Sequence, residues 1–302
     1  MVKRGAVSLR PTRRTLLTAA GIMLAAGLPL RAAPAAPRLA AIDWAMLETA
    51  VAIGHMPVAA CELVRFRADA VEPEIPRQVV DLGLRGAPNF ELLQLTRPDL
   101  ILTSPYYTRY QDRLAGVAPV LNLPFYVPGE PPLPKVFAAL HALAEAIDDP
   151  QAGVRAEARA EAELDRSAAA LGRFADRPFC LVNIGDVRHL RAFGQDSLFG
   201  STLARLGLRN AWTEGTQFSF LAPVPVERLA TMPEARLVIV GAIPPEARRG
   251  LSRSVLWKAL PQVAGGRVYL LPEVNAFGGI PSVLRFARLL SRTLAAGPVA
   301  SV

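Results

Sequence analysis

Cysteine is scarce in this chain. Only Cys61 and Cys180 occur in 302 residues, far apart, so no disulfide framework can be read and two buried free thiols are expected. Histidine is limited to His55, His141 and His189, each isolated from the others, and no metal-ligand spacing results. A GxSxG elbow, a P-loop, an HExxH pair and a GxGxxG turn are all missing, as is any dense carboxylate cluster for general acid and base work. The usual signatures of nucleophilic, phosphoryl-transfer and zinc chemistry are therefore absent, although an enzyme without a readable motif stays possible. Apolar runs are short as well. The longest, Leu16 to Leu30, is interrupted by Gly21, Gly27 and Pro29 and falls below the roughly 20 apolar residues of a membrane span.

What precedes and follows that run has a direction. Lys3, Arg4, Arg10, Arg13 and Arg14 come before it without one acid, and small residues from Ala32 to Ala36 come after it. This is the layout of an export signal of about 35 residues, with Ala33-Pro34-Ala35 as the cleavage triplet. The pair Arg13-Arg14 points to the twin-arginine route, and a plain basic leader is the alternative. No cysteine sits at the cleavage region, which argues against a lipid anchor. The leader also accounts for most of the formal charge of +8, because six of 34 basic residues and none of the 26 acids lie within it. The mature part is nearly neutral, and a nucleic-acid partner, which needs a basic surface field, is excluded.

Beyond the leader, short aliphatic runs alternate with helical stretches, which predicts an α/β fold with mainly parallel sheets. Candidate strands are Leu39 to Ile42, Pro57 to Cys61, Val79 to Leu82, Leu100 to Thr103, Val120 to Leu123, Phe179 to Ile184, Leu237 to Gly241 and Val268 to Leu271. An apolar-periodic helix is expected from Lys135 to Ile147, then a long one from Pro150 to Leu171. The second has Asp149 as cap, Pro150 at the first position and Gly172 as a left-handed terminus. Such a helix can cross between two lobes or lie along one. The segments PNFELLQLTRPDLIL and PVERLATMPEARLVIV echo each other, each with a Glu in the first turn of a short helix, then a Pro and a buried strand, and this favours two similar lobes.

Polar and aromatic residues gather at predicted strand ends, where α/β proteins bind ligands. GLRGAPN carries Arg85, TSPYYTRY carries Tyr106, Tyr107 and Tyr110, TQFSF carries Gln217, Phe218 and Phe220, and VNAFGG carries Asn275 and Phe277. An arginine offers five fixed donors to an array of oxygens, and aromatic rings supply stiff walls. Together they suit a ligand with an oxygen-rich centre and an organic periphery. Each also has an ordinary use: Arg85 could pair with a carboxylate, the tyrosines could pack over strand ends, and the phenylalanines could be core.

From about Arg38 onward the chain resembles the periplasmic iron(III)-hydroxamate-binding proteins of siderophore importers. The resemblance runs through AIDWAMLETAVAIG, VVDLGLRGAPNFELL, DVRHLRAFGQDSLF, LGLRNAW and VPVERLA, in register. It implies two α/β lobes joined by one long helix: residues 36–149, helix 150–172, and residues 173–302. It further implies a monomer in the periplasm that holds a ferric siderophore between the lobes and hands it to the permease of an ABC transporter, with no enzymatic activity. Iron arrives already chelated, so neither a cofactor nor a protein metal site is implied.

Position by position, Arg85 matches the arginine that holds the hydroxamate oxygens and Tyr107 its tyrosine partner. Gln217 matches an amide that reaches the ligand through water, and Phe277 stands where a tyrosine is usual. Ser219 and Asn275 replace tryptophans and Asp69 another aromatic residue, with Phe220 placed to compensate for Ser219. The implied pocket is more polar than usual. Glu91 and Glu227 match the two acids that meet arginines on the permease, although a first-turn Glu also suits the helix dipole. A corrinoid or haem binder, or an exported α/β enzyme, are the alternatives.

Overall fold

Residues 36–214 and 223–300 are described by a computed structural model. The strands before the long helix are β1 (Leu39–Ala41), β2 (Ala59–Ala60), β3 (Val80–Asp81), β4 (Gly83–Leu84), β5 (Ala87–Pro88), β6 (Leu100–Thr103) and β7 (Val120–Asn122). Five of them form a parallel sheet in the order β3-β2-β1-β6-β7, while β4 and β5 make a separate hairpin. After the helix come β8 (Phe179–Ile184), β9 (His189–Ala192), β10 (Val224–Pro225), β11 (Arg236–Val240) and β12 (Val268–Leu271), ordered β10-β9-β8-β11-β12. In this second sheet β8, β11 and β12 are parallel and β9 runs antiparallel to both neighbours. Central strands such as β6, β8 and β11 are buried aliphatic runs, as expected where helices cover both faces.

The connecting helix spans Pro150–Leu171. Asp149 accepts the Ala152 N–H at 3.2 Å, and Pro150 occupies the first turn, where a missing N–H costs nothing. The far end corrects the expected left-handed glycine. Gly172 has φ −53° and the chain tightens into a 3-10 turn, Gly172–Phe174, whose Ala175 N–H reaches the Gly172 carbonyl at 3.2 Å. That tightening satisfies the orphan carbonyls without any reversal of the backbone. The preceding helix, Pro132–Ala146, starts three residues earlier than its apolar pattern, because prolines fit its first turn.

A second tie joins the two halves. The C-terminal helix, Ile280–Ala296, packs on the connecting helix and on the first helix, Trp44–Ala52. One apolar cluster consequently runs from Leu39, Leu47 and Phe66 through Leu140 and Leu164 to Phe199 and Phe286, with the last two rings stacked at 4.8 Å. Smaller clusters lie about the second sheet and about the first. At the rim, Arg285 donates to Glu72 at 2.6 Å, and Arg288 pairs with Glu72 and Glu163. Cys61 and Cys180 are free and buried. Among the described residues no helix is long and apolar enough to cross a membrane.

Candidate ligand site

Arg85 and Gly86 form the two-residue loop of the β4–β5 hairpin, which projects beyond the C-terminal end of β3. Gly83, at φ +76°, supplies the left-handed bend that turns the chain out of the sheet. Two contacts then fix the guanidinium. The Glu62 carboxylate accepts the Arg85 backbone N–H through Oε1 and the side-chain Nε through Oε2, both at 3.1 Å. The Trp44 ring lies 3.9 Å from the guanidinium carbon. Trp44 is itself held, its indole N–H donating to the Cys61 carbonyl at 3.0 Å and its ring meeting Phe66 edge-on.

The arginine side chain is 20% exposed and its carboxylate partner 14%, and among the described residues neither Nη1 nor Nη2 has a hydrogen-bond partner. Tyr107 stands 6.0 Å away on the 3-10 turn that follows β6, and its burial pushes the phenol pKa up to about 12, so it remains a neutral O–H. Asp43, the buried N-cap of the first helix, accepts from the Ala45 N–H at 2.6 Å and from Ser104 Oγ at 2.8 Å. Burial raises its pKa, opposed by these bonds and by the charge of Arg85. The wall thus combines one cation with spare donors, a neutral phenol, an indole face and two carboxylates.

In the second half, Phe277 reaches across to Tyr126 of the first. Its ring packs edge-on against Tyr126 at 5.2 Å, and the Tyr126 hydroxyl donates to the Gly278 carbonyl at 2.5 Å. Asn275 is turned inward and only 7% exposed. Its Oδ1 accepts the Phe277 N–H at 3.0 Å and its Nδ2 donates to Glu48 at 2.9 Å. Glu48, on the first helix and fully buried, also accepts from Gly279 N–H at 2.7 Å, Ser282 N–H at 3.1 Å and Ser282 Oγ at 2.9 Å. Burial pushes its pKa up to about 7 despite these donors. A Cβ on Gly278 would fall 2.5 Å from the Glu48 carboxylate, so only glycine permits so close an approach of the two halves.

The structure brings together Arg85 and Tyr107, and separately Asn275 and Phe277; Gln217, Phe218, Ser219 and Phe220 lie outside the described residues. Tyr106 donates to the Tyr126 carbonyl at 3.2 Å, Tyr110 packs on Phe90, and Asp69 pairs with Arg65 on the surface. Glu91 and Glu227 are both exposed in first turns, one of the α-helix Phe90–Thr96 and the other of the 3-10 helix Val226–Thr231. The three histidines pair with Asp149, Glu157 and Asp186, and among the described residues no group of three His, Cys, Asp or Glu side chains could hold a metal. Motif reading missed Glu62, Trp44 and Glu48. A lone acid within the apolar WAMLETAVA is the one sequence signal that marks Glu48.

A family profile for periplasmic binding proteins matches residues 39–274. The chain belongs to this family. Among its relatives, the iron(3+)-hydroxamate-binding protein FhuD of Escherichia coli is 29% identical over 257 residues, which cover 85% of this chain and 86% of that protein. The Fe3+-Desferal-bound siderophore-binding protein FhuD from Vibrio cholerae superposes with a TM-score of 0.80 at 23% identity, covering 87% of this chain and all of that one. VctP, a periplasmic catecholate-siderophore-binding protein from the same organism, superposes with a TM-score of 0.63 at 18% identity, over 86% and 94% of the two chains.

Proposed function

We propose that this periplasmic binding protein captures a ferric siderophore of hydroxamate type between its two lobes and delivers it to an ABC-transporter permease for iron uptake. Arg85 carries the reading. Its Nε and one face are committed to Glu62 and Trp44, while its two terminal nitrogens stay free to donate to chelate oxygens. Because the siderophore already saturates the iron, the protein needs donors and apolar walls but no metal ligands or resident cofactor. The hydroxamate-binding relative supports this ligand class. Tyr107 joins Arg85, Phe277 adds an aromatic wall, and Gln217 and Phe220, which lie outside the described residues, are assigned to the ligand on sequence position. Asn275 acts through Phe277, whose N–H it holds.

On this reading residues 1–35 are a twin-arginine export signal removed in the periplasm, the lobes are residues 36–149 and 173–302 with 150–172 between them, and the mature protein works as a monomer. Titration of that protein with ferric hydroxamates, ferric catecholates, cobalamin and haem, followed by Trp44 fluorescence, tests the ligand class. Ferric hydroxamates should saturate it, and Arg85→Ala should weaken their binding about a hundredfold, the equivalent of one or two charge-assisted hydrogen bonds. Saturation by cobalamin or haem alone would overturn the proposal. Glu91 and Glu227 form the permease contacts: reversing both charges should abolish uptake while leaving chelate affinity intact, and loss of chelate binding in that variant would remove the docking role.

A further inference from the structure

The superposable proteins include one described with an iron-Desferal complex and one described with catecholates, so the fold alone does not select the chelate. The local charge does. Resting on the ligand site proposed above, we infer that Glu62 is a specificity-determining residue: by neutralising Arg85 it restricts the pocket to ferric chelates whose metal centre carries no net negative charge.

Three observations lead there. First, Glu62 grips Arg85 at two points, the backbone N–H and Nε, and leaves the Nη groups available. The carboxylate therefore removes the positive field of Arg85 without occupying the donors that a chelate would use. Second, among the described residues the ionisable groups coupled to this arginine bring no further cation: Asp43 is an acid, and burial keeps the Tyr107 phenol and the Cys61 thiol neutral. A neutral tris-hydroxamate centre can still accept N–H bonds here, whereas a trianionic tris-catecholate would be desolvated against a carboxylate. Third, Glu62 sits at φ +54°, a left-handed conformation in which a non-glycine residue carries strain. The chain places a glutamate where glycine would be at ease, and the glutamate side chain makes both contacts to Arg85.

The test compares two probes, the neutral ferric complex of N-acetyl-desferrioxamine B and the trianionic ferric enterobactin, by equilibrium titration of wild type, Glu62→Gln and Glu62→Gly. Wild type should bind the neutral complex and discriminate against the trianion. Removing the carboxylate should raise the ratio of trianion to neutral affinity by about tenfold or more, the scale of one charge interaction in a partly desolvated site. Glu62→Gly suits the left-handed backbone, so it tests the charge with folding preserved. A purely structural Glu62 would weaken both chelates alike, and an unchanged ratio in both variants overturns the inference. Wild type binding the two equally well also overturns it while leaving the transport function standing. If wild type binds neither, the function falls and the inference with it.

Discussion

Glu48 and Glu62 are both shielded from solvent, yet they are used in opposite ways. Glu48 is fully buried and receives four hydrogen bonds from Asn275, Gly279 and Ser282, two on each carboxylate oxygen. Glu62 takes only part of Arg85 and, among the described residues, leaves its terminal nitrogens unpaired. The first arrangement joins the halves of the molecule across more than 220 residues of chain. The second presents donors to whatever enters. Where donors and acceptors balance, the result is structure; where donors are left over beside a half-buried surface, a ligand with acceptor oxygens has something to bind, as the proposed function requires.

Removing Glu48 should produce the largest effect. Glu48→Ala strands buried N–H and O–H donors and opens a cavity, which should cost about 3–5 kcal/mol in urea denaturation; a loss below about 1 kcal/mol would break the contrast. Next comes pH. Glu48 is raised from 4.5 to about 7 in the folded protein, so between those values the native state holds a proton that the unfolded state releases. Stability from this group is fully present below about 4.5, declines as pH rises, and is lost above 7, a span on the order of 3 kcal/mol. Glu48→Gln should flatten that slope when denaturation midpoints at pH 5 and 8 are compared. Smallest is the stability change of Arg85→Ala, about 1–2 kcal/mol for one hydrogen-bonded, partly buried pair, whereas on the proposed function its chelate affinity should fall about a hundredfold. Comparable destabilisation by Arg85→Ala and Glu48→Ala would mean that the two carboxylates do the same work.

Much of this was legible from residue patterns. The strands Leu100–Thr103, Phe179–Ile184 and Val268–Leu271 and the helix Pro150–Leu171 coincide with their predicted spans, because aliphatic runs and caps act locally. The β4–β5 hairpin and the strands β9 and β10 were not, since two to four residues are too few to show a period. Arg85 could be picked out as a donor at a strand end, but its Glu62 partner is an ordinary acid 23 residues upstream that only the hairpin brings close. Asn275 read as a pocket residue, and its inward turn depends on Glu48, which lies 227 residues away.

The two thiols carry a practical consequence. Cys180 is pushed up to about 12 by burial, and Cys61 is driven in the same direction by burial and neighbouring carboxylates; neither presents a thiolate to solvent. A cysteine introduced on an exposed turn of each lobe would then be labelled selectively by maleimide dyes without replacement of the native pair. The protein is thereby suited to single-molecule distance measurement, in which energy transfer between the two dyes would report whether ferric hydroxamate, the ligand proposed above, changes the spacing of the lobes.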